Sequence, residues 1–595
     1  MILQSLAQLY DRLAEDPSIG LPKPGYSLQN ISFRVVLNLD GSLAGAIQDA
    51  RSHETMTDKK GKQKTTVRPT PILVPGQTKP SGSGINPCFL WDNTAYMLGY
   101  KPEDDKPERT REAFAAFKKR HLEAESVIQN EEFSAVCRFL EKWNPGHASD
   151  QPIFKDIKTG FGVFQISGRT HHVHQVPAIQ AWWNQQIDNQ EAGERGICLI
   201  TGKTAPLAIL HDPAIKGVIG AQSMGAKLVS FNLNAFTSYA KEQGQNSPVS
   251  ESAAFAYCNA LNHLLADPKR RFRIGDSTCV FWTDQPTPTP ADDVIPFLIS
   301  ASKEAEDAGL KQRLQGVLEK LARGQLSGDD LGGARTAFYL LGLSPNASRL
   351  SVRFWHTGTL GDLAANLQKH FNDLKTIPDR ESDPIIPSAF QLLLQTAREA
   401  DEIPPLLSGA LMRAILFGTR YPEALHASVL RRVKADRNVS FLKASIIKAY
   451  LNRNILIKEK DMHLEPALDI HRPDKSYHLG RLFAVLEQAQ RQAHEFKLER
   501  TIREAYYGSA SATPASIFPR LQTLYTHHLR KLSPGSKKFF EDWITEIEQK
   551  IRDEVLYPKT LTLHEQGMFA VGYYHQKHAF KKDSKESNTQ PTSGE

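Results

Sequence analysis

The sequence predicts an α+β protein, with a mixed α/β amino-terminal region over 1–378 followed by an all-helical carboxyl-terminal region. Three observations carry that expectation. Strand-like alternation and turn signals are confined to the first part, as at Phe33–Leu37, Gly160–Ser167 and Thr278–Trp282. Beyond about residue 378 apolar residues recur at helical spacing instead. At 595 residues the chain exceeds what one core serves, so two or three domains are expected. The second part divides into a basic helical region at 379–472, a helical bundle at 473–580 and a tail at 581–595 that lacks apolar residues and should be disordered.

The amino terminus is an amphipathic helix, with Leu6, Leu9, Tyr10 and Leu13 on one side and Asp11 and Arg12 between them, so it is not a signal peptide. Asp40-Gly41 between Ser32–Leu39 and Ser42–Ile47 signals a hairpin, because a type I′ turn needs positive φ at both central residues. Arg51–Gln77 carries Lys59, Lys60, Lys62, Lys64 and Arg68 with Pro69 and Pro71, and reads as a mobile basic loop. It leads into the Gly/Ser-rich Lys79–Pro87, which either cradles a phosphate or simply connects. Thr110–Trp143 is helical. Pro286–Pro290 is a linker ahead of a charged helical region through Lys303–Arg323, and the similar segments Thr278–Trp282 and Leu350–Trp355 fit two strands of one sheet. Past Tyr477, His478–Lys497, Ile517–Leu532 and Lys537–Val555 are helical, with Leu482, Val485, Leu486, Ala489 and Ala493 as a packing stripe.

Composition excludes several classes. The five cysteines are far apart with no C-x-x-C, which argues against a disulfide framework and a zinc knuckle and fits a reducing cytosol. No apolar run approaches the roughly 18 residues of a membrane span, so a soluble cytoplasmic protein is expected. Lys plus Arg total 73 against 66 Asp plus Glu, and the net charge of +7 matters less than where the positive charge sits.

Ile197–Leu265 has the most distinctive chemistry. A strand at Ile197–Ile200 passes through Gly202-Lys203-Thr204 into a segment crowded with Gln222, Ser223, Ser230, Asn232, Asn234, Ser238, Gln243, Gln245 and Asn246, then into a helix. Neutral amides and hydroxyls among apolar residues either brace a loop or read a ligand, and they are the groups that recognise base edges and phosphates. Gly202-Lys203-Thr204 is not a P-loop: Gly196 is one residue too far upstream and Pro206 stands where the helix would begin. His171, His172 and His174 invite a metal reading, but no nearby Cys or carboxylate completes a set, so no metal is expected. Arg431, Arg432, Lys434, Arg437, Lys443, Lys448, Arg453, Lys458 and Lys460 are opposed only by Asp436 and Glu459, which suggests a polyanion track.

Cys198–Lys203, His211–Gly217, Gly225–Asn232, Ala235–Tyr239, Gln243–Ser250 and Ala260–Leu265, together with Leu343–Asn346, Arg349–Trp355, Tyr477–Ala484 and Gly572–Gln576, resemble the large subunit of type I-C CRISPR surveillance complexes. The resemblance spans nearly the full chain. It implies a non-catalytic subunit, without a cofactor, of a crRNA-guided complex. Such a subunit contacts the short motif flanking the target (PAM), helps to open double-stranded target DNA and holds the displaced strand, while base pairing to the crRNA reads the target. The partners implied are the crRNA, repeated backbone subunits, a crRNA-processing subunit and a recruited helicase-nuclease. The carboxyl-terminal bundle is small-subunit-like, and its free copy is expected from internal translation at Met462 or a nearby non-AUG codon. Two segments are candidates for PAM and duplex contact. One carries Arg68, Thr70, Lys79, Ser81, Ser83 and Asn86; the other carries Lys203, Lys216, Gln222, Ser223, Lys227, Asn232, Asn234, Lys241, Gln243 and Asn246. The candidate for the displaced strand is the track of Arg431, Arg432, Lys434, Arg437, Lys443, Lys448 and Arg453. The alternatives are a metal-dependent nucleic-acid-processing enzyme using His211 and Asp212, and a purely structural scaffold.

Overall fold

The computed structural model describes residues 2–57, 63–76, 84–158, 160–189, 194–231, 233–274, 277–285, 289–299, 314–454, 463–495, 497–553 and 555–587. Among the described residues helix outweighs strand by 51% to 16%, with mixed sheets early and helices late, so the fold class is α+β. The chain forms two compact units. One comprises Met1–Gly217, Ala221–His263 and Pro345–Leu350; the other comprises Val218–Gly220, Leu264–Ser344 and Ser351–Glu595.

The first unit opens with helix α1 (Ile2–Ala14), whose Leu6, Leu9, Tyr10 and Leu13 are buried as the spacing predicts. Strand β1 (Tyr26–Leu37) is the spine of a five-stranded sheet with β2 (Gln48–Asp49), β5 (Thr70–Pro75), β6 (Trp91–Asn93) and β7 (Phe161–Ile166). β1 runs parallel to β7 and antiparallel to β2 and β5. Asp40 makes the predicted turn by accepting from the Ser42 amide at 2.8 Å, yet its second arm is reduced to a bridge between Leu37 and Leu43. Arg51–Gln77 differs from expectation: β3 (Ser52–Thr57) and β4 (Gln63–Arg68) pair as a hairpin and β5 joins the main sheet. Thr55, Thr57, Thr65, Thr66 and Thr70 supply β-branched residues whose strand preference outweighs the local charge. After the short α2 (Thr94–Leu98), the helical stretch is two helices, α3 (Pro107–Ile128) and α4 (Glu131–Lys142). They are separated by Gln129 at φ 43° and by Asn130, whose side chain caps α4. Phe117, Phe133, Phe139 and Leu140 pack on Phe33, Val35 and Phe164 of the sheet. α5 (Pro177–Asn189), the small ladder β8 (Arg195–Ile197) with β9 (Thr204–Pro206), and α6 (Glu251–Ala266) follow.

In the second unit β10 (Arg271–Ile274), β11 (Ser277–Thr283), β12 (Ala337–Asn346) and β13 (Arg349–Thr359) form one sheet in that order. The two similar tryptophan-bearing segments are thus β11 and β13, either side of β12. Helices α7 (Ala291–Ile299), α8 (Gln315–Arg323), α9 (Leu360–Leu374), α10 (Ala389–Leu393), α11 (Pro405–Phe417), α12 (Glu423–Asp436) and α13 (Phe441–Asn454) lead to the carboxyl-terminal helices. These are α14 (Lys475–Ala493), α15 (Ile502–Ala510), α16 (Pro514–Leu529), α17 (Pro534–Ile551) and α18 (Leu563–Ser587). One continuous core joins Phe281 and Leu340 of the sheet to Leu411, Val429, Leu482 and Phe569 of the helices. The chain therefore divides near 263, not near 378, because strands β10–β13 cover their apolar face with helices from both sides of residue 378 in the sequence. The last helix continues to Ser587, seven residues into the segment expected to be disordered (581 to 587).

Candidate nucleic-acid interface

The amide-rich stretch begins with a tight turn, not a phosphate loop. The Gly202 amide donates to the Cys198 carbonyl at 2.8 Å and the Cys198 amide to the Lys203 carbonyl at 2.9 Å. Gly202 has φ 72°, so Gly202-Lys203-Thr204 returns the chain into β9 rather than opening a helix. Beyond it, Ile215 and Ala226 bridge antiparallel, leaving Gln222 and Ser223 exposed near a turn closed by the Gly225 amide on the Gln222 carbonyl at 2.9 Å.

A second projection is built from Asn234–Asn246. Ser238 and Lys241 bridge across Tyr239 and Ala240, whose φ values are 54° and 56°. Both central residues are left-handed, as in a type I′ turn, although neither is the Asn, Asp or Gly that such turns favour. Left-handed backbone costs a non-glycine residue roughly 1–2 kcal/mol, so the surroundings must impose it. Asn246 does so: its Oδ1 accepts from the Ser238 amide at 3.1 Å, and its Nδ2 donates to the Lys241 and Gln243 carbonyls at 3.0 and 3.1 Å. Gln245 adds a bond to Glu194. The base of the projection is tied to the β12–β13 turn. The Lys227 amide donates to the Ser348 carbonyl, the Leu350 amide donates to the Lys227 carbonyl, and the Arg349 guanidinium lies 4.5 Å from the Phe236 ring centroid. The result is a fixed loop that presents Tyr239, 94% exposed, at its tip.

The candidate residues divide by what they already hold. Lys203, Lys216, Gln222, Ser223, Asn234, Lys241 and Gln243 are exposed. Asn246 is committed to bracing. Lys227 is committed too: its ammonium pairs with Asp212 and donates to the His211 carbonyl at 2.8 Å, so it does not face a phosphate. Of the other segment, Arg68 and Asn86 are exposed, while the Thr70 hydroxyl donates to the Ala50 carbonyl at 2.6 Å inside the sheet. Lys79, Ser81, Ser83 and Asn232 lie outside the described residues, as do Lys458, Lys460 and Met462.

The basic track does not survive folding as a surface. Lys443, Lys448 and Arg453 are only 6%, 2% and 7% exposed. Arg453 donates to Asp373 at 2.7 Å and to the Ala414 carbonyl at 2.8 Å, with its guanidinium over Tyr421. Lys448 donates to the Asp373 carbonyl at 3.1 Å, and burial pulls its pKa down to about 8. Asp436 holds both Lys443 and Arg432 at 2.5 Å, while Lys434 donates to Gln566 and Arg431 to Ser428. Of the candidates, only Arg431 and Arg437 remain exposed. Much of the one-sided charge is thus spent on ties: Asp436 of α12 itself takes Arg432 and Lys443, while Asp373 of α9 and the Ala414 carbonyl of α11 take Lys448 and Arg453.

The histidines are similarly accounted for. His171 contacts Glu132 at 3.1 Å, and His174 reaches the Leu73 carbonyl at 3.0 Å from a buried position. His211 Nδ1 lies 2.7 Å from the Tyr257 hydroxyl, and burial followed by the Lys227 charge lowers its pKa to about 4. Among the described residues no group of three or more His, Cys, Asp or Glu is placed to hold a metal. Nor is any helix among them long and apolar enough to cross a membrane.

Tyr239, Ala240 and Arg349 shape this loop, and residue chemistry alone did not single them out. Ser238-Tyr239-Ala240-Lys241 has no glycine or asparagine to announce a turn.

The family model described as CRISPR-associated protein (Cas_Csd1) matches residues 6–581, which makes the chain a CRISPR-associated protein. The chain belongs to that Csd1 family, the type I-C large-subunit family, in agreement with the resemblance carried by its motifs. No individual curated protein matches it.

Proposed function

We propose that this chain is the non-catalytic subunit that reads the PAM-flanking duplex in a crRNA-guided complex, promotes strand separation and supports recruitment of a helicase-nuclease. The carrying observation is the braced loop that exposes Tyr239 beside Lys241 and Gln243. A strained backbone maintained by bonds from Asn246 and by the contact with Arg349 stores a shape that folding alone does not require. An exposed ring on a fixed tip is suited to stack against a base at an opening duplex, and Lys241 to hold the adjoining phosphate. The exposed amides of Gln222, Asn234 and Gln243 supply the donor and acceptor pairs that base edges demand. Exposed Ile197, Leu199, Ile209 and Leu210 border the neighbouring 248–250 segment, an apolar margin suited to a protein partner such as a repeated backbone subunit or the crRNA-processing subunit.

The test is binding of the reconstituted crRNA complex, with and without this chain, to duplexes that differ only in the flanking trinucleotide, with magnesium present. Flank-dependent affinity that requires the chain, on DNA that stays uncut, is the expected result. Equal binding to all flanks would leave a scaffold, and cut DNA an enzyme.

A further inference from the structure

A cleft of about 390 Å³ opens in the first unit where α3 begins, lined by Asn86, by Ala95 and Tyr96 of α2, and by Lys106, Arg109 and Thr110. The sequence leaves the head of this helix without a cap. Lys106 stands at the N-cap and Pro107 follows it, so no side chain accepts from the first turn. The amides of Glu108 and Arg109 bond to no group among the described residues, and the first to find a partner is that of Thr110, which donates to the Lys106 carbonyl at 3.2 Å. Free amides at the head of a 22-residue helix carry the positive end of its dipole. Water would ordinarily satisfy them, and on their own they define no site.

Thr110 supplies an independent sign of a ligand. The residue is only 7% exposed and lies on the wall of the cleft, yet its hydroxyl bonds to no group among the described residues. A helical threonine commonly donates to the carbonyl one turn back, and buried hydroxyls are nearly always bonded. This one is left for whatever enters the cleft.

The charges around it are unequally spent. Asp104 accepts from the Lys106 amide at 3.0 Å, and Asp105 from Lys101 Nζ at 2.6 Å. Glu108, the acidic residue of the first turn, does not line the cleft. Lys106 and Arg109, by contrast, pair with no carboxylate among the described residues. The Arg109 guanidinium donates to the Gly84 carbonyl at 3.3 Å, which holds it against the 84–86 segment. Two amides, an ammonium, a guanidinium and a hydroxyl exceed what a carboxylate, or a phosphodiester within a strand, accepts through two free oxygens. They suit the larger oxygen set of a terminal phosphate.

We propose that this cleft binds the phosphate monoester of a small molecule through Lys106, Arg109, Thr110 and the first amides of α3. Ala95, Ala113 and Tyr96 line the remaining space, where the group that carries the phosphate would lie. The cleft and the Tyr239 loop share no residue, so phosphate binding here stands whether or not that loop reads DNA.

The experiment is calorimetric titration of the full chain, at fixed ionic strength in chloride, with inorganic phosphate, with AMP and with the dinucleotide TpT, which has a diester and no terminal phosphate. Phosphate and AMP should bind, compete with each other and raise the unfolding midpoint, while TpT should bind at least tenfold more weakly. AMP bound more tightly than inorganic phosphate would assign the site to a nucleotide, and equal affinities to phosphate itself; either supports the proposal. Lys106→Gln with Arg109→Gln should weaken binding by roughly tenfold or more, and Thr110→Val by roughly threefold. A charge-matched pair farther along α3, Arg111→Gln with Lys119→Gln, should bind like the wild type. Thr110→Val exchanges an unbonded hydroxyl for a methyl group of similar shape, so its unfolding midpoint without ligand should be no lower than the wild type's. Absence of phosphate and AMP binding, equal affinity for TpT, unchanged affinity in Thr110→Val, or an equal loss in the control pair would each overturn the assignment.

Discussion

Gly480 on α14 and Gly572 on α18 lie where the two helices press backbone against backbone: a methyl group on Gly480 would fall 2.0 Å from the Phe569 carbonyl oxygen, and one on Gly572 2.0 Å from that of Tyr477. Backbone cannot yield as a side-chain tip does, so Gly480→Ala and Gly572→Ala should each cost at least about 3 kcal/mol, read by urea unfolding. Gly508, on α15 with nothing within 4 Å of such a methyl, provides the contrast. Gly508→Ala should stabilise the chain by about 0.5–1 kcal/mol.

Arg481 is fully buried and forks onto Glu546, whose side chain is 29% exposed, while its Nε donates to Gln576 at 2.9 Å. The partners are unequal, so their removal should be unequal. Glu546→Ala strands a buried guanidinium and should cost about 3–5 kcal/mol; Arg481→Met leaves a carboxylate that water can reach and should cost less. Thermal unfolding of both variants orders them, and the reverse order would refute the argument.

At the Tyr239 tip stability and function should part. Tyr239→Asn places a residue tolerant of left-handed backbone at φ 54° and should leave the chain as stable or up to about 1 kcal/mol more so. Strand opening, followed by 2-aminopurine fluorescence beside the flanking motif, should slow. Asn246→Ala should instead loosen the loop, seen as faster amide exchange at Ser238 and Lys241, and weaken discrimination with it.

Acid should unfold the protein well above the usual carboxylate range. Burial lowers the pKa of His121, His174 and His575 to about 3. Below about pH 6.5 the unfolded chain takes up protons at these rings and the native state does not, so their contribution is complete above 6.5 and is lost as pH falls toward 3. At pH 5 each ring costs on the order of 2 kcal/mol. Unfolding midpoints measured from pH 7.5 to pH 5 should fall steeply; a flat profile would show that the rings are protonated in place.

Much of the architecture was legible in the sequence, because periodicity reports directly on which face is buried: α1, β7, β11, β13 and α14 all lie where alternation or helical spacing put them. The basic segment 431–453 misled because charge pattern along a chain does not reveal partners distant in sequence. Asp373 reaches Arg453, and Gln566 reaches Lys434, only through the tertiary fold. Local charge also hid the β3–β4 hairpin, where threonine was the better guide. The candidate loop was visible as a cluster of amides, but the division of labour within it was not. Asn246 braces while Gln243 is exposed, and nothing in residue type separates the two.

The turn at Pro345–Leu350 belongs to the amino-terminal unit although the strands that carry it belong to the other. Lys227 finds its main-chain partners Ser348 and Leu350 there, far downstream. During synthesis the amino-terminal unit therefore cannot complete its tyrosine-bearing loop when residue 263 leaves the ribosome; it waits until β13 has begun to emerge. A polypeptide cut short after α6 would hold most of that unit's core and the bonds from Asn246, yet it would lack the Ser348, Arg349 and Leu350 contacts at the base of the loop, so a truncated chain that folds need not hold the loop in its complete shape.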